Sequence, residues 1–178
     1  KHAFTYTEPF MLREGGTVTA RYADNPAVET SATFPRTERI PMTVGYASSQ
    51  ETGIGDAATL VDGDPATTWH TMYSVTVAKY PHWVDFDAGE PKLICGFRYL
   101  PRQDGGSNGI VREYSIQVSS DGKTWGEPVA KGTFERGRAE QRIELPKPVE
   151  ARYVRFTALS SQNGADFAGG AELSVIAD

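Results

Sequence analysis

Asp62-Gly63-Asp64-Pro65 sets two carboxylates two positions apart, with a glycine between them and a proline after them. A loop so built gathers oxygen atoms: both carboxylates, and backbone carbonyls that only an irregular chain can aim inward. A hard cation such as Ca2+ takes six to eight oxygens of this kind. Asp-Gly-Asp-Pro is also an ordinary surface turn, and the four residues alone do not decide between the two. An EF-hand is excluded. That loop needs an acidic or amide residue at 66, Gly at 67 and Glu at 73, where Ala66, Thr67 and Tyr73 stand.

Other chemistry is sparse. The three histidines are His2, His70 and His82, and none belongs to a His-Glu-x-x-His pair. No Gly-x-Ser-x-Gly elbow and no phosphate-cradling Gly-Lys-Ser/Thr loop occurs. The segment Asp104-Gly105-Gly106-Ser107-Asn108-Gly109 is glycine-rich but joins strands instead of opening a helix. Asp85 and Asp87 alternate with Val84 and Phe86, which predicts a solvated strand face, not a catalytic pair. Cys95 lies in the apolar run Leu93-Ile94-Cys95-Gly96-Phe97 and is expected as a small buried hydrophobe. One cysteine makes no internal disulfide. The net charge of −5 weighs against nucleic-acid and anionic-membrane partners. No apolar stretch approaches the ~20 residues that cross a bilayer, so no membrane insertion is expected.

The elements that must hold these residues are strands. Arg112 to Ser119 alternates with period two, placing Tyr114, Ile116 and Val118 on one inward face. Asp121-Gly122 is a tight-turn signal. Trp83 to Asp87 and Arg152 to Thr157 alternate as well, the second with Val154 and Phe156 inward. Leu93–Leu100 and Glu172–Ala177 complete the strand-like runs, and Trp69, Trp83 and Trp125 are expected in the core. One short helix, Asp56 to Val61, is allowed. Many short strands punctuated by 18 glycines and 11 prolines predict an all-β, antiparallel sandwich or jelly roll. Two further strands, Phe4–Thr7 and Thr17–Tyr22, separated by Glu14-Gly15-Gly16, suggest a short N-terminal β appendage. The predicted division is 1–38, a partial β-module or linker, and 39–178, the main domain. The opening Lys1-His2-Ala3-Phe4 reads as strand, not signal peptide, so the sequence is expected to be mature or excised from a longer chain.

From about residue 40 onward a family resemblance emerges. It is carried by Ala47-Ser48-Ser49-Gln50-Glu51, Leu60-Val61-Asp62-Gly63-Asp64-Pro65-Ala66-Thr67-Thr68-Trp69-His70-Thr71 and Leu100-Pro101-Arg102-Gln103-Asp104-Gly105. Asn108-Gly109, Ser119-Ser120-Asp121-Gly122-Lys123-Thr124-Trp125, Ala151-Arg152-Tyr153-Val154-Arg155 and Ala171-Glu172-Leu173 continue it in order. The chain resembles the discoidin family, or coagulation factor V/VIII C-type domains, and within it the family 32 carbohydrate-binding modules. Leu100 to Gly105, Trp69-His70-Thr71 and the run from Trp125 look especially like the sugar-binding domain of galactose oxidases. Tyr6 to Phe10 and Gly16 to Arg21 are more faintly similar to the small β-domain of bacterial hexosaminidases and fucosidases.

The resemblance implies a galactose-binding-like jelly roll with one structural Ca2+. Its ligands would be the Thr59 carbonyl, Asp62, Asp64, Thr67, the Ala171 carbonyl and Glu172. It also implies a shallow sugar site for galactose or N-acetylgalactosamine at one end of the sandwich. Such a sugar offers hydroxyls at its edges and C–H groups on one face, so hydrogen-bonding groups and an aromatic platform are required. The matching positions are His70, Arg102 and Asn108, with Phe167 as the stacking ring and Tyr73 as a second wall. Each polar group has a plainer reading: His70 could satisfy a loop carbonyl, Arg102 could pair with Asp104, and Asn108 before Gly109 suits a turn. The function implied is non-catalytic glycan binding by a monomeric accessory domain of a secreted, periplasmic or cell-surface glycoside hydrolase or related protein. A structural spacer and a protein- or lipid-binding discoidin domain are the alternatives.

Overall fold

The computed structural model describes residues 5–7, 16–34 and 38–177. Among these residues eleven strands follow one another: β1 (Gly16–Arg21), β2 (Glu29–Phe34), β3 (Glu38–Arg39), β4 (Thr43–Ala47), β5 (Trp69–His70), β6 (His82–Leu100), β7 (Glu113–Ser119), β8 (Ala130–Thr133), β9 (Gln141–Ala158), β10 (Gly169–Gly170) and β11 (Glu172–Ala177). The allowed helix is a single 3-10 turn over Ala57–Val61, after Asp56, which makes no side-chain cap. Seven strands form one antiparallel sheet in the order β3-β11-β6-β9-β7-β8, with β4 also on β6.

The organising element is β6. A straight strand of its 19 residues would span roughly 60 Å. Yet His82, at one end, holds the Asp166 carbonyl, and Tyr99, near the other, holds the Gly169 carbonyl. Three residues of chain cover at most about 10 Å, so β6 folds back on itself. Its pairing with β9 accordingly breaks register between Asp87 and Lys92 and again between Ile94 and Gly96. The first half lies between β4 and β9, the second between β11 and β9, and both layers of the sandwich come from one continuous ribbon.

Alternation fills the space between the layers. Val84, Phe86, Val154, Phe156 and Ile116 enter from one side, and Ile94, Phe97, Tyr99, Ile143, Leu173 and Val175 from the other. Fully burying side chains of this size contributes about 1.5–3 kcal/mol each. Phe134 stacks between Tyr114, at 4.1 Å, and Tyr99, at 4.9 Å. Of the tryptophans expected inside, only Trp69 is; it is wholly buried and donates its indole N–H to the Ser49 carbonyl at 3.1 Å.

Trp83 and Trp125 are half-buried on the outer surface, where the Arg155 guanidinium lies over both rings, 5.5 and 4.4 Å from their centroids. Trp83 is in phase with Asp85, which is bound in two-pronged fashion by Arg155 at 2.6 and 2.8 Å. Asp87 is held likewise by Arg152 at 2.7 and 2.8 Å. The aspartates of the expected solvated face are therefore ion-paired. Cys95 is half-buried, not buried, because the register break beside it turns it outward while Ile94 and Phe97 stay inside.

The N-terminal expectation also changes. Gly16–Arg21 forms a strand, but its antiparallel partner is Glu29–Phe34. Thr5–Thr7 is not strand, and Phe4 and the Glu14-Gly15 turn lie outside the described residues. Hydroxyl pairs Thr17–Thr33 at 2.9 Å and Thr19–Ser31 at 2.7 Å line one face of this exposed ribbon.

Candidate functional site

Three loops converge where β5 meets β10. Thr71 and Ala168 exchange backbone and hydroxyl bonds there: the Thr71 N–H donates to the Ala168 carbonyl at 2.9 Å, and the Ala168 N–H to the Thr71 hydroxyl at 3.1 Å. The approach is so close that a Cβ on Gly169 would meet the Trp69 carbonyl oxygen at 2.5 Å, which only glycine permits. Through this contact His70 and Phe167 are brought side by side.

His70 is nearly buried, 8% exposed, between two rings. Tyr73 meets it edge-on at 5.2 Å and Phe167 lies tilted at 5.2 Å. Its Nδ1 is 2.6 Å from the Thr71 carbonyl, which can only accept. Nδ1 therefore carries the proton, and in the neutral ring Nε2 is a bare acceptor. Burial holds the His70 pKa below the usual histidine value; the Arg102 charge adds to this, against the Thr71 carbonyl and the nearby carboxylates. The plainer reading, a histidine satisfying a loop carbonyl, is thus true of one nitrogen and leaves the other available.

Arg102 divides in the same way. Its Nε and Nη2 donate to Asp104 at 2.7 and 2.5 Å, and Nη1 donates to the Asn108 carbonyl at 2.8 Å. A guanidinium has five N–H groups, so two remain for a ligand. The arginine beside Asp104 holds that carboxyl well down, to about 2. Gly106 lies against the guanidinium, where a Cβ would come within 2.6 Å of its carbon. Arg138 fastens the loop from beneath, donating to the carbonyls of Arg102, Gly105 and Gly106 at 2.7, 3.0 and 2.7 Å. Asn108 is exposed and accepts a bond from the Asn163 amide at 2.8 Å.

The five expected positions His70, Tyr73, Arg102, Asn108 and Phe167 therefore cluster at one end of the sandwich. Several residues that hold them were not legible beforehand. Glu51 accepts from the Tyr73 and Ser74 N–H groups at 2.7 and 3.0 Å and from the Ser74 hydroxyl at 2.5 Å. The Ser74 hydroxyl foremost, then these N–H groups, keep the Glu51 pKa low. The Tyr80 hydroxyl donates to the Phe167 carbonyl, and His82 Nε2 lies 3.0 Å from the Asp166 carbonyl. Burial pushes the Tyr80 hydroxyl up to about 12 and the His82 pKa down.

The Asp62 loop is a separate feature. Asp62 accepts from the Asp64 N–H at 2.8 Å and from the Thr67 hydroxyl at 2.9 Å, and Asp64 accepts from the Ala66 N–H at 2.9 Å. Asp62 and Leu173 line one small cavity, so the loop abuts the start of β11, where Ala171 and Glu172 are both buried. The donors are all oxygens, which suits a hard cation. Among the described residues no three His, Cys, Asp or Glu side chains gather closely enough to hold a metal ion. An ion here would lean on the neutral oxygens of Thr59, Thr67 and Ala171 as well as on carboxylates.

The F5/8 type C domain profile matches residues 45–173, most of the chain. The chain belongs to this family. As an F5/8 type C domain it is 37% identical over 172 residues to a sialidase of Micromonospora viridifaciens, covering 95% of the chain and 26% of that protein. It is also 37% identical over 117 residues to a galactose oxidase of Gibberella zeae, covering 65% of the chain and 17% of the oxidase. The domain thus spans about a quarter or less of these relatives. Among solved structures, a family 32 carbohydrate-binding module of Clostridium perfringens, in complex with GalNAc-beta-1,3-galactose, superposes with a TM-score of 0.72. It is 29% identical and the match covers 79% of this chain and all of that one. No helix among the described residues of the F5/8 domain is long and apolar enough to cross a membrane.

Proposed function

We propose that the chain is a non-catalytic carbohydrate-binding module that takes a galactose-type sugar, galactose or N-acetylgalactosamine, in the depression lined by His70, Tyr73, Arg102, Asn108 and Phe167. The observation that carries this reading is the pairing of a neutral His70, with a bare Nε2, and an Arg102 with two N–H groups to spare. A hydroxyl set between them donates to the histidine and accepts from the arginine, while Phe167 offers a ring to the sugar's C–H face. Kinship with a module solved on a galactosyl ligand supports the same class. The site is shallow, so Kd is expected on the order of 0.1–1 mM. Isothermal titration with galactose, N-acetylgalactosamine, lactose and fucose tests it; no heat with any galacto-configured sugar would sink it.

The relatives are long multidomain proteins, and we place this module beside a catalytic domain in a secreted or cell-surface glycan-active protein, as a monomeric accessory unit. A Ca2+ ion held by Thr59, Asp62, Asp64, Thr67, Ala171 and Glu172 would tie the 3-10 turn and its loop to β11, a structural role. One observation favours a second reading. Ile54 and Val75, 77% and 80% exposed, stand on segments joined through Glu51 near the same rim, as contact with an apolar surface would require. Co-sedimentation with neutral liposomes in the absence of sugar would support it, and a supernatant retaining all the protein would dismiss it.

A further inference from the structure

Asparagine amides present a donor on one side and an acceptor on the other, and which side faces a ligand depends on what fixes the far side. Two asparagines stand in series beside Arg102. The Ala165 backbone N–H points at Asn163 Oδ1 at 3.2 Å, and the Ser161 hydroxyl lies 3.0 Å from the same atom. A backbone N–H can only donate, so the Asn163 atom it meets is the oxygen. The other end of Asn163 is therefore NH2, and it donates to Asn108 at 2.8 Å. The Asn108 atom that receives it must be the oxygen. By elimination, Asn108 turns its NH2 away from Asn163, and among the described residues no acceptor takes those N–H groups.

We infer that Asn163 is a specificity-determining positioning residue: by tethering the Asn108 oxygen it commits Asn108 to present a donor, so the sugar hydroxyl at that point is read as an acceptor. The inference rests on the sugar-site reading above and deepens it. The three polar groups then form a fixed pattern of one acceptor, His70 Nε2, and two donors, Arg102 and Asn108. A hydroxyl bridging His70 and Arg102 must give its proton to the histidine and receive from the arginine, and Asn108 is left to donate to a neighbouring hydroxyl. The segment that sets the pattern is itself firmly held. Ser161 is buried and its hydroxyl lies 2.7 Å from the Ala165 carbonyl. The loop that aims Phe167 and the loop that aims Asn108 are thus one structure.

Asn163→Asp tests the inference. The introduced carboxylate still accepts from the Ala165 N–H, so the turn survives, but it can no longer donate to Asn108. The Asn108 amide must then rotate, giving its NH2 to that carboxylate and its oxygen to the sugar. Titrations with galactose and each of its monofluoro-deoxy analogues read this out, because fluorine can accept a hydrogen bond weakly but cannot donate one. In the unmodified chain the analogue fluorinated opposite Asn108 should lose little affinity. In Asn163→Asp it should weaken about five- to tenfold more than galactose does, the worth of one hydrogen bond, with the other analogues following galactose. Asn163→Ala, which frees Asn108, should weaken all of them together. Equal losses for every analogue in Asn163→Asp, or none, would overturn the inference. The side-chain amide signal of Asn108 gives a reading without sugar: its protons should become slower to exchange with water in Asn163→Asp, and unchanged exchange would also overturn it. Failure of the unmodified chain to bind any galactosyl sugar, with the amide signal changing as expected, would instead remove the sugar-site reading and leave the polarity of Asn108 standing.

Discussion

Two arginines in this domain make nearly the same ion pair and do different things. Arg155 and Asp85 face each other across regular strands β9 and β6, and Arg102 and Asp104 lie two positions apart in a loop. Both guanidiniums bind their aspartate through two nitrogens. Arg155 is then roofed by Trp125 and Trp83, and its flat face is consumed by indole contact. Arg102 is backed by a glycine and leaves two N–H groups beside a neutral histidine and two aromatic rings. The lesson is that charge pairing does not mark a site. Nor do spare N–H groups, since Arg155 keeps three to Arg102's two; what distinguishes Arg102 is the histidine acceptor and open rings that a loop gathers beside it, where the sheet gives Arg155 only indole faces.

The sharpest way to break the contrast is to truncate each arginine. Arg102→Ala should reduce galactose affinity by about 100-fold or more, beyond detection for so weak a site, since two charge-assisted bonds are lost. Arg155→Ala should leave titration with galactose unchanged and lower stability by about 1–2 kcal/mol in urea unfolding. The reverse assignment would refute the distinction.

Phe167→Ala should weaken galactose by about three- to tenfold through loss of one stacking ring, measured by titration. Trp125→Ala, which strips the roof from Arg155, should not affect binding at all.

Acid sharpens the comparison further. The His70 pKa is lowered in the fold, so the neutral ring persists below the ordinary value near 6.5. Binding needs Nε2 bare and should hold constant down to that point, then fall as pH drops through the lowered pKa. His82 is shifted in the same direction, so the unfolded chain binds more protons in this window. Stability therefore also declines below about 6.5. Titrations across this range, with circular dichroism confirming the fold at each pH, separate the two; flat affinity would remove His70 from recognition. The smallest effect on the site should come from the Asp62 loop. Chelation should lower the melting temperature by about 5–10 °C if the ion is present at about 100-fold its Kd. Asp62→Ala should abolish that response, with galactose affinity at low temperature unchanged.

Much of the sandwich was legible because burial imposes period two. Tyr114 and Ile116, or Val154 and Phe156, alternate with polar residues and could face only one way. The same logic, applied to Trp83, puts it in phase with Asp85 and Asp87, on the outside. Expecting it in the core let residue type override register. The second strand of the N-terminal ribbon, Glu29–Phe34, escaped notice because residues 29–33 are exposed on both faces and no apolar alternation marks them. At the candidate site, the five clustered positions were reachable through family motifs and through chemistry. Glu51, Tyr80, His82, Arg138 and Asn163 were not, since each acts on a backbone carbonyl, an N–H or an amide that only the folded chain brings near. Glu51 reaches Tyr73 across 22 residues and Asn163 reaches Asn108 across 55, distances at which no sequence period survives.

The folded-back β6 has an evolutionary consequence. Because His82 and Tyr99 grip the same short segment from the two ends of one strand, that strand works as a calliper whose opening sets where the segment carrying Phe167 lies. Residues added at the bend near Gly89, which faces open space, would lengthen the handle and leave the jaws alone. A pair added within either arm would preserve inward and outward alternation, keep the fold, and still move one jaw by about 7 Å. Lineages descending from such a chain can vary the bend freely, whereas in the arms only length changes by even numbers keep the buried residues inside.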